Sequence, residues 1–283
     1  MVWNTVISGL ILCFVTLVPL AIKWELSNKM SIPAVLLIGI LSALIVNWVT
    51  IFWPLKFYQV LVLQVFVIAV ISISLLLWRF YRDPERTPPE DENVILSPAD
   101  GKVIYVKEIE KGWIPFSEKR GKKFSLNDFV QCEVLSEGGH LIGISMTYLD
   151  VHVNRAPIGG RISILKRIKG LFVSLKEKQA VLQNERVFTV IDNGHFKLGI
   201  VQIASRLVRR IVPYFREGQQ IQRGDRIGVI RLGSQVDLIL PDLPSLRIEV
   251  KPGEKVKAGI SIVARFDKES MIHKLRYKRA MVS

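Results

Sequence analysis

Cysteine is scarce in this 283-residue chain: there are two, Cys13 and Cys132. One lies in an apolar run and the other far downstream, so neither a disulfide framework nor a CxxC metal site is implied. No Lys or Arg stands in Met1–Asn4. A cleaved signal peptide, the competing reading of the first apolar run, would want a basic n-region there. Acidic residues are outnumbered, 25 against 39 basic, for a formal charge of +14. That balance suits nucleic acid or an anionic membrane surface, and the hydrophobic N-terminus favours the membrane, so no nucleic-acid partner is expected. Beyond the N-terminal third, helical periodicity is weak, which argues against an all-α domain.

What the chain has in abundance is apolar sequence. Hydrophobic residues make up 49% and the mean hydropathy is positive, +0.31, pointing to membrane segments plus one domain. Asn4–Ile22, Ile32–Trp53 and Phe57–Trp78 are near-continuous apolar runs, each of about 20 residues, enough to cross the hydrocarbon core. Pro19 is tolerable in a membrane helix. Trp3, Trp24, Trp48, Trp53 and Trp78 fall near the run ends, as an interfacial belt would. Three spans are expected, with two plus a re-entrant or interfacial segment as the alternative. Lys23 and Lys29 lie between the first two runs and Lys56 between the second and third. Arg79, Arg82 and Arg86 follow the third, and this stronger cluster predicts a multi-pass cell-membrane protein whose C-terminal domain faces the cytoplasm.

The expected organisation is a membrane anchor over 1–79, a linker over 80–93 and one domain over 94–283. The stretch Arg82–Asn93, RDPERTPPEDEN, is polar and proline-rich, as linkers are. From Val94 onward the pattern is short β runs broken by Gly and Pro. Strands are predicted at Val94–Leu96, Lys102–Val106, Phe129–Val134, Ile142–Met146, Gly160–Leu165, Arg186–Ile191, Phe196–Ile203, Ile227–Leu232 and Val236–Leu240. Phe172–Gln183 reads as one short helix or a loop. A weak internal repeat relates Arg216–Ile230 to Lys251–Ala264: Gly218 and Gly253 are each followed by a second glycine, Gly224 and Gly259, and then by an apolar strand. The predicted fold class is therefore N-terminal transmembrane α-helices followed by a β-rich single domain, a barrel or sandwich of hairpins. The repeated hairpins resemble those of biotinyl and lipoyl carrier domains. Those carriers present a lysine in a Met-Lys-Met context, a tripeptide absent here, so a carrier role is not expected.

Four short stretches carry the chemistry: SPADGKV at Ser97–Val103, DVHVNRAPIGG at Asp150–Gly160, NER at Asn184–Arg186 and LGS at Leu232–Ser234. Gly-Ser between strands is ordinarily just a turn, His152 alone is more often a half-buried structural side chain, and Asp100 is at home in a Pro-Gly turn. Together and in this order, however, the four stretches closely resemble the phosphatidylserine decarboxylases, most strongly their short prokaryotic branch. The resemblance covers roughly Phe80–Phe266.

The resemblance implies self-cleavage between Gly233 and Ser234, which turns Ser234 into a covalent pyruvoyl cofactor and leaves a heterodimer of two chains. Glycine before the serine helps, because it tolerates a strained backbone. His152 would be the base, tuned near neutrality, and Asp100 the residue that orients it. Long-branch members carry a second His where Arg155 stands here, so His152 is the one imidazole of this motif. Gln235 departs from the residues usual after the serine; because the cut precedes it, a neutral effect is expected. Asn154, Arg155 and Arg186 are candidate contacts for a phospholipid head group, since guanidinium matches phosphate or carboxylate in bidentate geometry. For Arg186 a surface salt bridge is an equal alternative. Arg206, Arg209 and Arg210 form a basic run suited to anionic lipid or to a solvated face. No metal is expected.

The expected activity is decarboxylation of a serine phospholipid to the ethanolamine lipid. Two rivals stand beside it: a membrane serine hydrolase or peptidase with Ser234 as a standing nucleophile, and a non-enzymatic membrane adaptor or carrier-like module. Lipid-tail chemistry and oligomeric state, homo-oligomers included, stay open.

Overall fold

The computed structural model describes residues 2–23, 28–110, 113–114, 124–125, 130, 138–171, 183–205, 210–230, 234–243 and 245–267, and all structural statements concern these. The chain divides into two compact units, Met1–Phe80 and Tyr81–Ser283.

The first unit is three helices: α1 (Val2–Lys23), α2 (Asn28–Phe52) and α3 (Phe57–Tyr81). All three are long and apolar enough to cross a membrane. Their inner contacts are few but specific. Cys13, Val35, Ile38 and Ile68 form a small apolar centre. Beside it, buried Gln64 on α3 donates to the Thr5 carbonyl at 2.7 Å and accepts from Ser8 Oγ at 2.7 Å. Asn47 on α2 donates to Thr5 Oγ1 at 2.6 Å. Interhelical hydrogen bonds of this kind hold helices together where apolar burial discriminates little. Gly9 permits the close approach, for a Cβ there would lie 2.5 Å from Gln64 Nε2 and 2.9 Å from the Gly39 carbonyl.

The second unit is antiparallel β. Its strands are β1 (Val94–Leu96), β2 (Gly101–Glu110), β3 (Trp113–Ile114), β4 (Phe124–Ser125), β5 (Gly138–Met146), β6 (Val153–Arg155), β7 (Gly160–Ile168) and β8 (Arg186–Asp192). They continue with β9 (Lys197–Ile203), β10 (Ile211–Pro213), β11 (Gln220–Ile221), β12 (Arg226–Ile230), β13 (Ser234–Pro241), β14 (Arg247–Ile248), β15 (Lys255–Val256) and β16 (Ile262–Arg265). The predicted strands fall on these, save Phe129–Val134 which, like the 172–182 helix-or-loop stretch, lies largely or wholly outside the described residues. A curled sheet runs β11-β7-β8-β9-β13-β5-β2-β3-β4, with β15 also on β2, as a half-barrel. Two small sheets, β1-β16-β14 and β10-β12-β6, complete the unit.

The repeat seen in the sequence extends beyond the two hairpins into the large sheet. Around the central β9–β13 pair the order is mirrored: β8, β7, β11 on one side, β5, β2, β15 on the other. Even single bonds recur. Gly253 N–H donates to the Val103 carbonyl and Gly218 N–H to that of Ile162; Gly259 donates to Ser97 and Gly224 to Ala156. All four glycines have positive φ, between 70° and 100°, a backbone region that favours glycine at such turns.

The large sheet is apolar on both faces. Ile144, Val187, Ile200, Val236 and Leu238 pack with Ile95, Ile227 and Val263 of the small sheets. Leu141, Phe188, Val201, Ile203 and Ile239 form a second cluster on the alternate register positions. Burial on both sides explains why Leu238–Leu240 reads as an unbroken apolar run rather than an alternating one.

The segment Arg82–Asn93 is no free linker. It belongs to the second unit and is bonded along its length to the β strands: Asp83 and Glu85 to Arg226, Pro84 to Arg155, Pro89 to Arg223, Asp91 to Arg265 and Asn93 to the Phe266 amide.

Candidate active site

Three distant segments meet at one end of the large sheet. Ser234 opens β13 with its backbone opposite Met146, the last residue of β5. β2 begins beside the same end: Lys102 faces Ser145, and a Cβ on Gly101 would lie 2.2 Å from the Ser145 carbonyl. That contact explains glycine after Asp100. After β5 the chain turns on Asp150, whose carboxylate accepts from both the amide and the hydroxyl of Thr147 at 2.7 Å. It then enters β6, which lies along β12 with Asn154 opposite Gly228. Ile230, the end of β12, donates its amide to the His152 carbonyl at 3.2 Å. Gly233 lies outside the described residues, as do Cys132, Arg206 and Arg209.

His152 is buried. Its Nδ1 sits 2.8 Å from the carbonyl of Asp150. A carbonyl can only accept, so Nδ1 carries the proton and Nε2 keeps the lone pair. Burial lowers the imidazole pKa to about 4, with the Asp150 carbonyl and the charges of Asp150 and Asp100 opposing and Arg82 assisting. The expectation of a value near neutrality is thus corrected: desolvation outweighs the nearby carboxylates, and His152 is a neutral base at physiological pH.

Asp100 is buried and fully engaged. Its two oxygens accept from Arg86 Nη1 at 2.5 Å and Nη2 at 2.9 Å, and the Ala258 amide donates to Oδ1 at 2.8 Å. Asn154, also buried, accepts from Gln202 at 2.7 Å and has its Nδ2 4.0 Å from the Met146 sulfur. It is thereby brought next to the strand partner of Ser234. Arg155 points elsewhere: its guanidinium donates to the Gly224 and Pro84 carbonyls at 3.0 Å each and pairs with Asp83. Arg186 is buried, with its pKa lowered by that burial, and donates to the Asn184 carbonyl at 3.1 Å. Asn184 in turn donates to the Ala204 carbonyl at 2.8 Å, so the NER stretch stitches β8 to the end of β9.

Sequence reasoning missed two features. One is Arg86, whose partner Asp100 no spacing rule would have named. The other is a hydrogen-bonded trio of buried Gln235 and Asp237 with half-buried Tyr105, beginning one residue after Ser234. Gln235 donates to Tyr105 Oη and to Asp237 Oδ1, and Tyr105 donates to Asp237 Oδ2, all at 2.7 Å. Burial raises the Asp237 pKa to about 7 against the pull of those bonds and of Lys107. The only signal was a polar residue inside an apolar strand, Asp237 in VDLIL.

Comparison with known proteins identifies the family. The family model for phosphatidylserine decarboxylase matches residues 73–264. A protein of Methanocaldococcus jannaschii, named as an archaetidylserine decarboxylase proenzyme, is 44% identical over 196 residues, covering 69% of this chain and 92% of the relative. One of the same name from Methanothermobacter thermautotrophicus is 38% identical over 198 residues, 70% and 84% of the two chains. A phosphatidylserine decarboxylase proenzyme of Chlorobium limicola is 35% identical over 199 residues, 70% and 83%.

Proposed function

The chain belongs to the phosphatidylserine decarboxylase family, and from that premise we propose that it cuts itself between Gly233 and Ser234 and then decarboxylates a serine phospholipid. It is a decarboxylase proenzyme. Relatives are named for both archaetidylserine and phosphatidylserine, so the proposed substrate class is a glycerophosphoserine lipid.

The observation that carries the reading is the bracketing of the scissile segment. Ile230 is tied to the backbone of His152, and Ser234 is paired to Met146. The hydroxyl of Ser234 gives its proton to neutral His152 and attacks the Gly233 carbonyl carbon; the peptide C–N bond breaks and the freed nitrogen takes a proton. Loss of the Ser234 α-proton and elimination of the ester release Gly233 as a carboxylate. The dehydroalanine left behind takes up water and loses ammonia. The chain fits a pyruvoyl group at its new terminus. Position 234 heads a strand paired on both sides, and the buried Gln235 side chain anchors it. Once formed, that group supplies an electron sink for loss of CO2.

Asn154 is the head-group contact we retain; the guanidinium of Arg155 and that of Arg186 serve as braces. The three apolar helices insert in the membrane, with the β unit on the cytoplasmic side. The pairing of repeated hairpins about β9 and β13 supports a barrel-sandwich of the biotinyl and lipoyl kind.

Mass spectrometry tests this. The mature protein should be two chains, the longer ending in a carboxylate at Gly233 and the shorter starting with a pyruvoyl group at 234, while Ser234→Ala stays one chain. Lipid extracts of a strain lacking the gene should accumulate a serine lipid. An intact wild-type chain that is active and labelled by a fluorophosphonate would replace this reading with the serine hydrolase.

A further inference from the structure

Arg86 stands in the connector that follows α3, yet its guanidinium lies within the β unit. It grips both oxygens of Asp100 at 2.5 and 2.9 Å and donates to the Ala258 carbonyl at 2.7 Å. Both side chains are nearly dry, 6% and 9% exposed. A fork of this geometry fixes the rotamer of a carboxylate as a single point charge cannot. Asp100 sits where β2 starts against Ser145, one residue from the Met146 that faces Ser234. Its charge also reaches His152.

The rest of the connector holds Arg86 in place. Asp83 and Glu85 pair with Arg226 on β12, the strand that ends at Ile230, and Asp83 pairs with Arg155 on β6. Pro88 seats on Gly224, where a Cβ would come within 2.3 Å of the ring. Arg223 bonds the Pro89 and Asp91 carbonyls. The connector therefore touches Asp100 and both β6, which follows directly on His152, and β12, whose last residue bonds the His152 carbonyl.

From this geometry we infer that Arg86 is a positioning residue for maturation, holding Asp100 in its working orientation, and that the connector is part of the self-cleavage site rather than a tether. The inference rests on the proposed pyruvoyl maturation. It adds a residue from outside the four motif stretches and gives the connector's charge pattern a reason.

The test is the rate of self-cleavage of the full-length protein in detergent. Arg86→Gln should slow cutting on the order of 100-fold, as small misplacements of catalytic groups do. Added guanidinium should restore part of the rate. Arg86→Lys, which keeps the charge and loses the fork, should fall between, and it gives the answer where the Gln variant fails to fold. Arg86→Gln should add nothing on an Asp100→Asn background, because both changes remove one interaction. Wild-type cutting by Arg86→Gln would overturn the inference. So would slow cutting that guanidinium leaves unchanged and that adds to the Asp100→Asn loss, the behaviour of a mere brace. A wild-type chain that never cuts would bring down the maturation reading itself, and this inference with it.

Discussion

The carbonyl of His152 accepts the amide of Ile230 at 3.2 Å, so the residue proposed as the base is tied by its backbone to the strand that ends just before the proposed cut between Gly233 and Ser234. β12 is held by β6 and β10, and β13 by β5 and β9. Cutting between them frees no strand from its neighbours.

The two mature chains should consequently stay together without a covalent link. We expect them to co-elute in mild detergent and to separate only in denaturant. Separation without denaturant would contradict the pairing of β13 at the centre of the sheet.

His152→Ala should slow self-cleavage about 100-fold or more, the loss expected for a general base. In the wild type His152 is neutral above its pKa of about 4, so the rate should be level from about pH 5 upward. A rate that instead falls with acid through pH 6.5, the ordinary histidine value, would show that the imidazole is solvated.

Stability should depend on pH through two opposed groups. Asp237 has its pKa raised from 3.8 to about 7. Between those values the folded chain keeps a proton that the unfolded chain has released, so stability falls as pH rises. His152 has its pKa lowered from 6.5 to about 4. There the unfolded chain takes up a proton that the folded one refuses, so stability rises with pH. Each slope is at most about 1.4 kcal/mol per pH unit. In the overlap from about 4 to 6.5 they should largely cancel. Thermal unfolding in detergent should therefore show a rising profile for Asp237→Asn and a falling one for His152→Ala. Three identical profiles would refute both shifts.

The cytoplasmic orientation is predicted from Arg79 in the last turn of α3 and from Arg82 and Arg86 just after it. In a Cys13→Ala background Cys132 is the single thiol. An impermeant maleimide should label it in lysed cells and not in intact ones; labelling from outside would reverse the orientation.

The sequence by itself determined the local elements. Apolar runs long enough to span a bilayer became α1 to α3, and Val94–Leu96 or Arg186–Ile191 became strands, because hydropathy and β-branched runs act over neighbouring residues. Glycine spacing exposed the repeat, since the tight turns at Gly218 and Gly253 need positive φ. The four motif stretches named Asp100, His152 and Ser234. Only the tertiary structure decided what surrounds them. Arg86 reaches Asp100 through folding, not spacing. Arg155, read as a head-group contact, is drawn to the Gly224 and Pro84 carbonyls instead. Gln235 is locked to Asp237 on its own strand and to Tyr105 on a strand remote in sequence, a contact that no spacing along the chain announces. The pKa of His152 likewise could not be read along the chain, because desolvation depends on every segment packed around the ring.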